Sequence, residues 1–325
     1  MKKYIAILLA AAMATLGISA CRKENSNKET KVQKDSDIKV VTTIFPEYDW
    51  VRQIAGEEAD QMDITMLLDN GVDLHSYQPT AEDIMKVSDC DLFVYVGGES
   101  DAWVDDALKQ AKNKDMQVVD LLDVLGNNAK EEEVIEGMEP EEEEEEPEYD
   151  EHVWLSVKNA EVLSKAIADA LEKADPDHKD IYQENASAYS EKLKDLDAKY
   201  QEVVDGASQK TLLFGDRFPF RYLVDDYGLS YYAAFVGCSA ESEASFDTIS
   251  FLANKVDELG LKDIMAIENS NQKIAKTIIE NTKEKNQKIL TLDTMQSTTS
   301  DDVKNGTTYL SVMEKNLEVL KEALQ

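Results

Sequence analysis

Eight short β-rich runs alternate with helical patterns along the chain, four of them before residue 178 and four after residue 206. Parallel strands need a crossover connection of a dozen or more residues, which is usually a helix. The alternation therefore predicts an α/β fold with two lobes, each a mostly parallel four-stranded sheet with flanking helices. The predicted strands are IKVVTTIF, MDITMLL, DLFVYVG and MQVVDLL in the first half, and TLLFG, LSYYAAFV, DIMAIE and KILTLD in the second.

The segment between the two groups of strands has the spacing of one long helix. Its apolar residues in DIYQENASAYSEKLKDLDAKYQEVVDG recur three and four positions apart, as on the buried face of an amphipathic helix. We expect an N-terminal lobe over residues 38–177 and a C-terminal lobe over residues 207–325, joined by a rigid helix over residues 178–206. Such a stiff connection disfavours large hinge closure.

The amino terminus has the pattern of a secretory signal followed by a lipid attachment site. Residues 1–20 place two lysines before a short apolar stretch, which predicts a signal peptide. The motif ISAC resembles a bacterial lipobox and implies cleavage before Cys21 and lipidation of its sulfur; the alternative is an ordinary signal peptide with a chance cysteine. Polar residues 21–37 predict a flexible tether. We expect a protein anchored to the outer face of the cytoplasmic membrane through lipidated Cys21.

The charge of the chain favours cations as partners. The formal net charge is −33, which argues against binding to nucleic acid. Thirteen Glu and one Asp lie between Glu131 and Glu151, inside a predicted acidic loop over residues 127–151. Such a run predicts a solvated loop that raises the local cation concentration, and it ends directly before His152.

Two cysteines, Cys90 and Cys238, follow the proposed lipidation site. Neither belongs to a CxxC pair, so a zinc knuckle or a redox site is weakly supported. We interpret both as small buried residues. Whether they form a disulfide is left open by the sequence.

Four side chains that can bind a metal follow predicted strands: His75, His152, Asp216 and Asp293. Ligands of open parallel sheets bind beyond the carboxyl ends of the strands, so two candidates from each lobe are expected at the same edge. Two imidazoles and two carboxylates make a plausible site for a divalent cation. Taken singly, a loop histidine is more often a surface residue, and an aspartate after a strand is more often a helix cap.

Residues 38–325 resemble the metal-binding lipoproteins of bacterial ABC importers for zinc and manganese, in particular the zinc-type substrate-binding proteins. The resemblance rests on several motifs in the expected order: VVTTIFPEYDWVRQIAG, GVDLHSYQPTAEDI, DEHVWLSVKNA, YGLSYYAAFVGCSAESEAS and TYLSVMEKNLEVLKEAL. It implies two α/β lobes joined by a rigid helix, with one metal ion buried between them.

The resemblance also implies a ligand for each position of the family's site. His75 matches the first histidine in its G-x-D-x-H motif, His152 matches the second in H-x-W-L, and Asp293 matches the late carboxylate. The third position falls on Arg217, which cannot bind a cation. A shift of one residue would bring the carboxylate of Asp216 there; the alternative is a water molecule.

The resemblance implies capture of a metal ion and its delivery to a permease powered by an ATPase, with no chemistry on the ion. Zinc is favoured over manganese by HVWLS and by the charged insert, whereas the four-ligand set alone favours manganese. The chain contains no P-loop, so the ATPase is expected to be a separate subunit. It contains neither H-E-x-x-H nor G-x-S-x-G, so we expect no enzyme activity. We expect a monomer; a surface adhesin of the same fold is the alternative.

Overall fold

The computed structural model describes residues 38–139, 148–239 and 243–325. The predicted signal peptide, Cys21 and the tether lie outside the described residues, as do residues 140–147 of the acidic loop. Within the described ranges, no helix is both long enough and apolar enough to cross a bilayer.

Each lobe contains one four-stranded sheet in which every pairing is parallel. The strand order is β2-β1-β3-β4 in the first lobe and β6-β5-β7-β8 in the second, so the two lobes share one topology. The predicted two-lobed α/β fold is therefore confirmed. The strands are β1 Lys39–Thr42, β2 Asp63–Met66, β3 Leu92–Tyr95, β4 Gln117–Asp120, β5 Thr211–Phe218, β6 Ser230–Val236, β7 Asp263–Ile267 and β8 Lys288–Leu292.

Helices precede, follow and connect these strands. They are α1 Phe45–Ala55, α2 Ala81–Asp89, α3 Val104–Lys109, α4 Leu121–Leu125, α5 Val157–Ala174, α6 Lys179–Asp205, α7 Arg221–Tyr227, α8 Phe246–Leu259, α9 Lys273–Asn281, α10 Ser300–Lys304 and α11 Tyr309–Ala323. α4 and α10 have five residues each, too few to show a helical period in the sequence.

The long helix α6 contacts both lobes. It has 27 residues, which corresponds to a length of about 40 Å. Nδ2 of Asn185 donates to the backbone oxygen of Ile54 in the first lobe at 2.9 Å, and the hydroxyl of Tyr200 donates to the backbone oxygen of Met313 in the second lobe at 2.7 Å. The buried face of α6 is Tyr182, Tyr189, Leu193, Leu196, Tyr200 and Val204.

The two lobes share one hydrophobic core. A single cluster of buried side chains includes Trp50 and Trp154 from the first lobe and Phe214 and Tyr309 from the second. The ring centroids of Trp50 and Tyr309 lie 5.2 Å apart in an edge-to-face arrangement. Separating the lobes would therefore expose apolar surface as well as bend α6.

Asp49 on α1 is a buried carboxylate that accepts a hydrogen bond from the other lobe. Its Oδ2 accepts from the backbone N–H of Tyr309 at 3.0 Å, and its Oδ1 accepts from Nε2 of Gln53 at 3.2 Å. Burial raises the pKa of Asp49 to about 6, although these hydrogen bonds and the charges of Arg52 and Lys192 lower it in part. The folded state therefore binds more protons than the unfolded state between about pH 4 and pH 6, so stability falls as the pH rises through this window.

We expect Asp49→Asn to remove this pH dependence. Asparagine can still accept from Tyr309, and the amide of Gln53 can turn to accept from the new NH2 group. Between about pH 4 and pH 7, the unfolding free energy of the wild type should fall by about 2–3 kcal/mol relative to the variant. Urea unfolding of the zinc-free protein at several pH values measures the difference. Asp106→Asn, at a side chain that is 80% exposed, is the control; parallel profiles for the wild type and Asp49→Asn would contradict the raised pKa.

Candidate metal centre

His75 lies in a short 3-10 turn, Leu74–Ser76, beyond the carboxyl end of β2. The turn begins at Asp73, whose Oδ1 accepts from the backbone N–H of His75 at 3.1 Å. Nδ1 of His75 lies 2.9 Å from Oγ of Ser100 and 3.4 Å from Oε2 of Glu151. These contacts hold the Nδ1 side of the ring and leave Nε2 to face the neighbouring histidine.

Glu151 is held beside His75 by the loop after β3. Its Oε1 accepts from the backbone N–H of Ser100 at 2.9 Å. Gly98 permits this approach, because it has φ +77° and a Cβ at this position would overlap the Glu151 carboxylate. Burial opposes ionisation of Glu151, yet the hydrogen bonds from His75 and Ser100 hold its pKa below the usual value.

His152 is fully buried, with 0% exposure. Oδ1 of Asp150 lies 2.8 Å from the backbone nitrogen and 3.0 Å from Nδ1 of His152, so one carboxylate orients both the backbone and the ring. Burial, followed by the charges of His75 and Arg217, holds the pKa of His152 well below its usual value. The imidazole is therefore neutral near pH 7, which is the form that binds metals. Burial raises the pKa of Asp150 to about 7.

The two imidazoles face each other through their Nε2 atoms, which lie 3.2 Å apart. Two nitrogens bound to one tetrahedral Zn²⁺ at 2.0–2.1 Å would be separated by about 3.3 Å. Each Nδ1 faces oxygen atoms, those of Ser100 and Glu151 for His75 and of Asp150 for His152. Oxygen partners on the far nitrogen are typical of histidines that bind metals, because they fix the tautomer and the ring orientation.

Cys238 completes the one group of three potential metal ligands found within the described ranges. One atom each from His75, His152 and Cys238 lie within 4.8 Å of one another. Cys238 comes two residues after β6, and it is a free thiol, as is the distant Cys90. Burial raises the pKa of Cys238 well above its usual value, with further contributions from nearby carboxylates. The sequence predicts only a packing residue at Cys238, although this cysteine follows a strand at the same sheet edge as the other candidates.

Asp216 is on β5, but the structure does not bring it to the histidines. The register of β5 against β6 shifts between Phe214 and Arg217, which is a β-bulge at the place where we expected a one-residue shift. Oδ1 of Asp216 accepts from the N–H of Arg217 at 3.0 Å, and its Oδ2 accepts from the N–H of Ile267 at 3.4 Å. The carboxylate is therefore turned toward β7.

Arg217 links the two lobes beside the site. Its guanidinium forms an ion pair with Asp73, the residue that begins the His75 turn. Although burial raises the pKa of Asp73, the charge and hydrogen bond of Arg217 hold it below its usual value. Arg217 occupies the position that matched the family's third ligand, and it anchors the His75 turn instead of binding a cation.

Asp293 follows β8, and the structure does not bring it to the histidines either. Its Oδ1 accepts from the N–H of Met295 at 2.8 Å, which closes the turn after the strand. Its backbone N–H donates to Oδ1 of Asn316 at 2.9 Å, and Nδ2 of Asn316 donates to the backbone oxygen of Asp293 at 2.8 Å. Within the described ranges, no group of three potential ligands includes Asp293 or Asp216.

The two ends of the acidic loop pair with each other. Glu131 and Tyr149 form an antiparallel bridge, and the N–H of Asp150 donates to the Lys130 oxygen at 2.8 Å. Because His152 follows two residues later, this pairing fixes the start of the metal-facing segment.

The first end of the acidic loop, residues 131–139, packs on the second lobe. Oε1 of Glu132 accepts from the N–H of Cys238 at 2.8 Å, Glu133 pairs with Arg221, and Met138 is buried. We expected the whole acidic loop to be solvated. Residues 131–139 differ because the carboxylates of Glu132 and Glu133 have partners in the second lobe.

The model of the family described as "ZnuA: Zinc-uptake complex component A periplasmic" matches residues 40–323. The chain belongs to the ZnuA family. This membership confirms the resemblance to zinc-type substrate-binding proteins.

Individual relatives of this ZnuA-family chain carry names that refer to zinc. The zinc-binding lipoprotein AdcA of Streptococcus pneumoniae strain R6 is 35% identical over 324 residues, covering 98% of this chain and 61% of AdcA. The high-affinity zinc uptake system protein ZnuA of Bacillus subtilis strain 168 is 31% identical over 330 residues, covering 99% of this chain and 98% of the relative. The chain thus spans about three fifths of the length of AdcA.

A solved relative has the same architecture. The crystal structure of the Zn(II)-bound ZnuA-like domain of Streptococcus pneumoniae AdcA superposes with a TM-score of 0.69 at 32% identity. The match covers 89% of this chain and 99% of that domain.

Proposed function

We propose that this ZnuA-family protein captures Zn²⁺ outside the cytoplasmic membrane and delivers it to an ABC permease driven by a separate ATPase subunit. The observation that carries the proposal is the pair of Nε2 atoms of His75 and His152, 3.2 Å apart. The Nδ1 atoms of both rings face oxygen partners, so the two Nε2 atoms are positioned to bind one ion.

Zinc fits the pair better than manganese does. The hard carboxylates that favoured manganese, Asp216 and Asp293, have backbone hydrogen-bond partners elsewhere. Imidazole nitrogen suits zinc, whereas manganese prefers carboxylate and water oxygen. The names of the relatives AdcA and ZnuA support the same metal.

A binding role is favoured over catalysis and adhesion. The family is described by its part in zinc uptake, which is transport and not enzymatic chemistry. A buried imidazole facing a largely covered one suits a small ion, whereas adhesion to a macromolecule requires an exposed contact surface. The lipoprotein relative supports anchoring through lipidated Cys21, and we propose that the protein acts as a monomer.

Capture requires the ion to exchange water for protein ligands. His152 is already neutral because it is buried, so no proton needs to leave its Nε2 when zinc arrives. The carboxylates of Asp150 and Glu151 hold the rings in position and offset the positive charge of the ion. The negatively charged loop beside the site raises the local cation concentration.

The proposal is tested by the stoichiometry of metal binding. The full chain, stripped with a chelator and titrated with ZnCl2 by calorimetry, should bind one tight zinc per molecule, and MnCl2 should not displace it. Elemental analysis of the refilled protein provides an independent count. Refilled protein without tight zinc would refute the proposal.

Asp150→Asn should weaken zinc binding by roughly 10- to 100-fold, as expected when an oxygen partner of a metal-binding histidine loses its charge. Zinc affinity is measured by competition with a chromophoric chelator. Asp175→Asn is a matched control, because Asp175 also contacts a histidine, Nδ1 of His178 at 2.6 Å, in a cluster separate from the site. Equal losses in the two variants would contradict a specific role for Asp150.

Replacing Glu141 to Glu146 with glutamine should slow zinc capture at low ionic strength. The run attracts cations over a Debye length, so we expect the association rate to fall about 3- to 10-fold at low salt and to change little near 1 M salt. Stopped-flow mixing with zinc at several salt concentrations measures the rate. An equal reduction at every salt concentration would argue against electrostatic attraction.

A further inference from the structure

We infer that Cys238 is the third zinc ligand, so that the ion is held by two imidazoles and one thiolate. This inference rests on the proposed function and names the donor set of the same site. Its basis is the placement of the Cys238 sulfur within 4.8 Å of the ligand nitrogens of His75 and His152. The two histidines come from the first lobe and the cysteine from the second, so the site lies across the lobe boundary.

The backbone next to Cys238 lies close to the ring of His152. A Cβ on Gly237 would lie 3.1 Å from Nδ1 and Cε1 of His152, which is tighter than an ordinary contact. The N–H of Cys238 donates to Oε1 of Glu132 at 2.8 Å, which ties this turn to the acidic segment of the first lobe. These two contacts fix the position from which the thiol reaches the imidazoles.

The other candidates for the third position are engaged elsewhere. Arg217 carries a positive charge and is paired with Asp73. Asp216 accepts hydrogen bonds from Arg217 and Ile267. Within the described ranges, Cys238 is the residue that completes a group of three with the two histidines.

A thiolate changes which ions the site selects. On binding, the thiol loses its proton to water and the sulfur bonds to the metal. Sulfur is a soft donor that favours zinc over manganese more strongly than a third imidazole or a carboxylate would. Three protein ligands also leave one tetrahedral position open, through which the ion could be passed on.

Cobalt(II) provides a direct test, because a bound thiolate gives an intense near-ultraviolet charge-transfer band that nitrogen and oxygen ligands do not give. The full chain loaded with CoCl2 should show this band, and Cys238→Ser should lose it. Zinc affinity of Cys238→Ser should fall by roughly 100-fold or more, since a ligand is lost and not only its support. Cys90→Ser is the matched control, because Cys90 is a buried cysteine whose thiol donates to the backbone oxygen of Val87 at 3.2 Å. The Cys90→Ser variant should keep both the charge-transfer band and the zinc affinity.

Alkylation of the wild type gives a second readout that does not depend on a variant folding. At alkaline pH, where the zinc-free Cys238 thiol ionises in part, zinc should protect this thiol from iodoacetamide, and mass spectrometry separates its modified peptide from that of Cys90. A bound cobalt ion without the thiolate band, or zinc that leaves Cys238 reactive, would overturn the inference while leaving zinc capture intact. A wild-type protein that binds neither ion would instead refute the proposed function.

Discussion

Replacing both His75 and His152 with alanine should reduce zinc affinity by roughly 10⁴-fold, because structural zinc sites contribute about 10–16 kcal/mol over their ligands, or about 3 kcal/mol for each ligand. The two Nε2 atoms that face each other at 3.2 Å are then absent. Each single variant should lose roughly 10²-fold in zinc affinity, half of the loss in binding free energy. Competition with chelators of graded affinity measures the losses.

The control for the histidine variants is His178→Ala. The His178 side chain is 41% exposed and contacts Asp175 and Glu58, away from the site. Its replacement should leave zinc affinity unchanged. Because His152 is fully buried, circular dichroism of each zinc-free variant must first show a folded protein. A folded double variant that keeps one tight zinc would rule out this site.

Trp154→Ala should destabilise the zinc-free protein by about 3–5 kcal/mol, the usual cost of removing a fully buried large aromatic ring. The Trp154 ring belongs to the core that both lobes share. Its Nε1 donates to the Thr294 oxygen at 2.9 Å, and its backbone oxygen accepts from the Tyr309 hydroxyl at 2.8 Å. The substitution therefore leaves a cavity and an unpaired carbonyl at the lobe boundary. Urea unfolding measures the loss.

Trp103→Ala is the comparison for this experiment. Trp103 is partly buried and packs against a smaller cluster within the first lobe. We expect a smaller loss of unfolding free energy and no change in zinc affinity, whereas Trp154→Ala should also weaken zinc binding because its ring centroid lies 5.3 Å from that of His152. A cost below about 1 kcal/mol for Trp154→Ala would contradict the shared core.

The strands were predictable because each combines β-rich composition with a length that fits a buried parallel sheet. The strand-edge rule then placed His75 and His152 together, since it depends only on topology. The same rule could not predict where Asp216 and Asp293 point. Those directions are set by a bulge in β5 and by a hydrogen-bonded turn after β8, and neither has a sequence pattern.

Cys238 was missed for a different reason. A single cysteine has no spacing partner in the sequence, and its proximity to the histidines arises only when the second lobe packs on the first. The hydrophobic core that both lobes share could not be predicted either, because the periodicity of a helix shows which face is buried but not which lobe covers it.

The hydrophobic core that both lobes share limits the ways in which an importer would avoid ATP hydrolysis without transport. A permease that binds the empty carrier as readily as the loaded one would allow ATP to be hydrolysed without transport of an ion. Many carriers signal their load by closing two lobes, but here Trp50, Trp154, Phe214 and Tyr309 join the lobes in one packed interior. We therefore expect the proposed permease to distinguish the loaded form by the local surface around the His75 turn and the segment after β6, and not by the angle between the lobes.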